Sequence, residues 1–102
     1  MAILMREVQT IRPDGWEELA ELEKRWQAIE KRAGYPAIKR RYRGNSAPNN
    51  LHTLVIEIEW ESFAAMEATN AKMAKDPELA PLAVETDPIV QSIRFEYYTV
   101  LP

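Results

Sequence analysis

The sequence predicts an α+β fold in ferredoxin-like order, β-α-β-β-α-β, with an antiparallel four-stranded sheet that carries its helices on one face. Three observations point there. Leu19, Leu22, Trp26, Ile29 and Ala33 recur at steps of three and four, the spacing of one helical stripe. Leu51 to Trp60 alternates with period two, as a half-buried strand does. Taken end to end, the chain reads as two strand-helix-strand halves, the split βαβ plan.

Each element has its own signals. Residues 2–11 (AILMREVQTI) are rich in strand formers and stop at Arg12-Pro13. Asp14 and Glu17 have capping-box spacing, an N-cap acceptor with a carboxylate three residues on. A helix is therefore predicted over about 15–33, with Lys31 and Arg32 at its negative end and Gly34 as a left-handed stop. Residues 37–43 (AIKRRYR) read as a short basic strand and 44–50 (GNSAPNN) as a loop. On the next strand, His52, Leu54, Ile56, Ile58 and Trp60 share one face, and Thr53, Val55, Glu57 and Glu59 the other. A second helix starts near Ser62, with Phe63, Met66, Asn70 and Met73 on one stripe. Asp76-Pro77 is expected to restart a short helix and Asp87-Pro88 to end it. The last strand, from Val90 to Leu101, sets Ile93, Phe95 and Tyr97 against Ser92, Arg94, Glu96, Tyr98 and Val100.

Composition bounds the rest. At 102 residues one domain spanning 1–102 is expected, burying roughly two-thirds of the surface its unfolded chain exposes. Thirteen Lys and Arg against 16 Asp and Glu give a net charge of −3, which argues against nucleic acid as a partner. The absence of cysteine excludes disulfides, thiolate nucleophiles and thiolate metal sites. A single histidine makes a transition-metal site improbable, and no cofactor is expected. The apolar run Met1 to Met5 is broken by Arg6 and Glu7, too short for a signal peptide or a membrane span. A cytoplasmic location with no membrane partner is the resulting expectation. No Ser/His/Asp set, phosphate loop or nucleotide fingerprint is present.

The element order, with the run Glu59-Trp60-Glu61-Ser62-Phe63 followed by Asp76-Pro77-Glu78-Leu79, resembles the dimeric α+β barrel superfamily. Within it the likeness is to NIPSNAP-like proteins and to the antibiotic-biosynthesis-monooxygenase type. The resemblance implies a ferredoxin-like monomer whose open sheet face packs on a second copy. It does not select one activity, since the superfamily holds cofactor-free monooxygenases, haem-degrading enzymes and proteins without known activity. Haem-degrading members carry a His on the second helix, and this second helix has none.

Arg6-Glu7, in the middle of the first strand, is the most informative oddity. Neighbouring strand residues point to opposite faces, so one charge must lie under the helices. The outer face already carries Glu57, Glu59 and Glu96 against Arg94. Arg6 balances that set, so Glu7 is assigned to the helix side. If strands 2–11 and 51–60 are parallel neighbours with matched ends, Glu7 falls near Ile56. The helix from Ser62 returns about 12 Å by Asn70, which brings Asn70 over the same point.

Two readings follow. In one, Glu7 is a general base with a pKa raised by burial, Asn70 is an orienting or oxyanion donor, and Trp60, Tyr97, Met66, Trp26 and His52 surround a ligand. In the plainer one, Asn70 and Glu7 satisfy each other in the core, the Trp and Met residues are packing, and His52 is structural. Lys39, Arg40, Arg41 and Arg43 are expected to guard a sheet edge against aggregation. The leading expectation is a homodimer that binds a small, mostly apolar or aromatic molecule between sheet and helices. A cofactor-independent monooxygenase or isomerase is the alternative, and a non-catalytic interaction module the third.

Overall fold

The computed structural model describes residues 1–102. In chain order it contains β1 (Ile3–Ile11), α1 (Trp16–Ala33), β2 (Arg40–Arg43), β3 (Thr53–Trp60), α2 (Phe63–Met73), α3 (Leu79–Thr86) and β4 (Val90–Thr99). The four strands form one sheet in the order β2-β3-β1-β4, and every neighbouring pair is antiparallel. This is the ferredoxin-like plan.

The parallel placement of the first and third strands is corrected. The crossover through α1 brings β2 back in the direction of β1, and the β2–β3 hairpin then reverses β3. Glu7 still pairs with Ile56, because it lies near the middle of the strand, where reversing the partner changes the register little.

Local chemistry sets the helix ends, not always as expected. Gly15 is the N-cap of α1 and no side chain caps it, so the Asp14 capping box does not form. Asp14 instead accepts from Arg12 Nε at 2.6 Å. A Cβ on Gly15 would lie 2.7 Å from Ile89 Cγ2, so the helix start is fitted against the residue before β4. Gly34 ends α1 at φ 89°, the left-handed conformation glycine adopts without strain. Ser62 caps α2, its Oγ accepting from Ala65 N at 3.0 Å. Asp76-Pro77 forms a turn ahead of α3 instead of its first turn, and the Asp76 carboxylate accepts from Glu78 N at 3.0 Å. The basic strand is shorter than expected, four residues from Arg40.

The core lies between the sheet and the helices. Ile11, Ile29, Leu82 and Ile89 are fully buried, with Met5, Leu19, Leu22, Leu54, Ile56, Ile58, Trp60 and Met66 around them. On the other face, Arg6 reaches Glu57 at 2.8 Å and Glu96 at 3.7 Å, with its guanidinium 5.3 Å from the centre of the Tyr98 ring. No helix of the chain is long and apolar enough to cross a membrane.

Candidate functional site

Between sheet and helices lies a cavity of about 500 Å³. Its floor is three strands side by side: Met5, Glu7 and Gln9 of β1, Leu54, Ile56 and Ile58 of β3, and Ile93, Phe95 and Tyr97 of β4. Pairing register places Glu7 between Ile56 and Phe95. The roof comes from Leu19, Glu23, Trp26 and Glu30 of α1, Asn70 and Met73 of α2, and Ala83 and Thr86 at the end of α3. Ile93, Phe95 and Tyr97 stay about half exposed, so the cavity opens along β4.

A charged cluster closes the opposite side, toward β2. Lys39 Nζ donates to both carboxylate oxygens of Glu23, at 2.8 and 3.0 Å, and to both of Glu30, at 3.0 and 3.1 Å. Arg41 Nε stands 3.3 Å from Glu23. The edge-guard reading is therefore corrected for Lys39 and Arg41, whose charges are spent inward on α1. Arg43 lies over the Trp16 ring at 4.1 Å.

Glu7 stands apart from that cluster. Its one hydrogen-bond partner is Gln9, whose Nε2 donates to it. Burial pushes the Glu7 pKa up, and the Gln9 bond and the Lys39 charge only partly offset this. Burial likewise raises the pKa of Glu30, against the pull of Lys39. Tyr35 is pushed up to about 12 by burial and by the neighbouring charges of Glu30 and Glu7, so it is a neutral donor at physiological pH. Its hydroxyl donates to Asn70 Oδ1 at 2.7 Å, and its ring stands edge-on to Trp60 at 5.0 Å between centroids.

The structure thus brings Glu7, Asn70, Tyr97 and Trp26 to one cavity. It does not pair Glu7 with Asn70: the first is bonded to Gln9 and the second to Tyr35. Trp60 and Met66 are buried core residues and do not line the cavity, because their side chains fill the space between β3 and the helices. His52, one residue ahead of β3, also lies outside it. Sequence reasoning missed Gln9, Glu23, Glu30, Tyr35 and the inward reach of Lys39. A signal existed for two of them: Leu19, Glu23, Trp26 and Glu30 repeat at steps of four, three and four, so both glutamates share a face with apolar residues. No group of three or more His, Cys, Asp or Glu is placed to hold a metal ion.

The fold is ferredoxin-like α+β, and solved structures of NIPSNAP-like proteins share it. An uncharacterised NIPSNAP-like domain protein from Burkholderia xenovorans superposes with TM-score 0.83 at 18% identity, covering 98% of this chain and 85% of that one. A NIPSNAP family protein from Agrobacterium tumefaciens gives 0.79 at 14% identity, over 98% and 86%. SnoaB from Streptomyces nogalater, a cofactor-independent oxygenase, gives 0.71 at 14% identity, over 97% and 92%. At these identities the likeness is one of fold. The sequence matches no protein family and no curated protein.

Proposed function

We propose that this chain binds a small, mostly apolar or aromatic molecule in the cavity between sheet and helices. The supporting observation is a half-buried carboxylate without an ion-pair partner, Glu7, on the floor of a chamber whose lining is apolar at 13 of 22 residues. A volume near 500 Å³ is within the range of small-molecule sites, and a few polar groups among apolar walls are their usual chemistry. Calorimetric titration with the neutral probe 2-naphthalenemethanol tests it. Saturable binding of one probe per chain, abolished by Ile56→Trp, which fills the floor, is the expected result. Absence of saturable binding would count against the reading.

A second reading makes the site catalytic, and the raised Glu7 pKa favours it. Glu7 would accept a proton from an acidic C–H or O–H of the ligand. Tyr35 occupies Asn70 Oδ1, which leaves the amide N–H groups of Asn70 to donate to the oxygen where negative charge develops. Deuterium uptake from D2O at the α-carbon of 1-tetralone, accelerated by the protein and lost in Glu7→Gln, is the expected signature. No acceleration over buffer would remove it.

The outer sheet face is proposed to meet a second copy of the chain. Tyr98 and Val100 are 44% and 39% exposed there, beside the charges of Arg6, Arg94, Glu57 and Glu96. A self-complementary twofold contact suits that mixture. Sedimentation at micromolar concentration should report about twice the 11.8 kDa chain mass. A persistent monomer would overturn it.

A further inference from the structure

We infer that the ligand's polar head is a protonated amine, so that the cavity takes a small aromatic or apolar molecule bearing a primary ammonium group. This rests on the binding reading above and narrows it.

Charge inside the cavity is lopsided. Glu7, Glu23, Glu30 and Asp87 line it against Lys39 and Arg41. Both cations are committed, Lys39 to Glu23 and Glu30, and Arg41 to Glu23. Glu7 and Asp87 take part in no ion pair, so an anionic head would meet carboxylates and no free cation. A desolvated ammonium, which needs a counter-charge, would find one at Glu7.

An independent observation concerns Gln9, two residues along the same strand face. It is 8% exposed, and its Oε1 has no hydrogen-bond donor in the protein. Its Nε2 is used on Glu7, which leaves two acceptors side by side with no further protein donor. Buried acceptors ordinarily find donors, and an ammonium brings three.

The aromatic wall completes the site. Phe95 is the cross-strand neighbour of Glu7. Its ring stacks with Tyr97 at 6.4 Å between centroids, and both rings are about half exposed along the open side. A cation held by Glu7 lies beside these π faces, which attract it electrostatically. The rest of the ligand then spreads over Met5, Ile56 and Ile93.

Three molecules of one shape separate the possibilities: 2-naphthylmethylamine, 2-naphthalenemethanol and 2-naphthoic acid, titrated calorimetrically at pH 7. The amine is expected to bind at least about tenfold more tightly than the alcohol, as a charge-assisted hydrogen bond allows, and the acid more weakly than both. In Glu7→Gln the amine's advantage over the alcohol should fall to less than about threefold. Equal affinities for amine and alcohol, or an acid that binds best, would overturn the amine assignment and leave the cavity reading standing. Failure of all three to bind would overturn both. Should Glu7→Gln not fold, the ranking in the unaltered protein decides.

Discussion

The two faces of the sheet solve the same electrostatic problem in opposite ways. Arg6 and Glu7 are consecutive, yet Arg6 turns outward to Glu57 and Glu96 while Glu7 turns inward to Gln9 alone. The Arg6 side chain is 37% exposed, so its charge is solvated whether or not its partners hold still. Inside, Lys39, Glu23 and Glu30 have side chains only 12%, 9% and 14% exposed, and each charge depends on the others. The difference teaches that an ion pair matters by what its loss would strand. Outside, water replaces a missing partner; inside, nothing does.

The largest expected effect tests the inner cluster. Lys39→Met leaves Glu30 buried without a cation and Glu23 with Arg41 alone, and should destabilise the fold by about 3–5 kcal/mol in urea denaturation. A loss under about 1 kcal/mol would show that the cluster is effectively solvated and erase the contrast.

A smaller effect of opposite sign belongs to Glu7. Its folded pKa is raised above the ordinary 4.5, so the folded chain holds this proton more tightly than the unfolded one. Below pH 4.5 that group imposes no penalty; stability is lost as pH rises from there through the raised folded value. Glu7→Gln should therefore be more stable than the parent at pH 7, the difference vanishing toward pH 4. Paired thermal melts across this range check it. A variant less stable at pH 7 than at pH 4, each relative to the parent, would reverse the assignment.

The smallest effect is predicted outside. Arg6→Ala should change the stability of the isolated chain by a few tenths of a kcal/mol, and less in molar salt. A change above about 2 kcal/mol in denaturant titrations of the monomeric chain would mean that Arg6 is held by more than solvent-exposed pairs.

Much of this contrast was legible in the sequence. Period-two alternation assigned the faces of β3 and β4, and charge balance alone placed Glu7 inward. The strand's hydrophobic pattern could not, because both of its faces are mixed. Helix starts were less legible: Asp14 has the capping residue type and spacing, but Arg12 takes its carboxylate, and the fit of Gly15 against Ile89 is set by a residue far along the chain. The inner cluster was missed for a similar reason. Lys39 sits beside a run of surface-like cations, and only the fold shows that α1 passes overhead with two carboxylates turned down. The Glu7–Asn70 encounter placed both residues at one cavity but overlooked Tyr35, which stands between helix and strand and bonds to Asn70.

One pairing described above governs how the chain can be made. The central strand β1 is bonded on one side to β3 and on the other to β4, with Ile3 opposite Thr99. A chain emerging in order from its first residue has β1 and α1 long before it has either partner. Until residue 90 and beyond are available, one edge of β1 stays unpaired and the floor beneath Glu7 lacks its third strand. Ring closure between such distant segments is slow, and an unpaired edge invites strands from other chains. The last ten residues of sheet therefore act as a latch, and a nascent chain stalled before them is the form most exposed to aggregation.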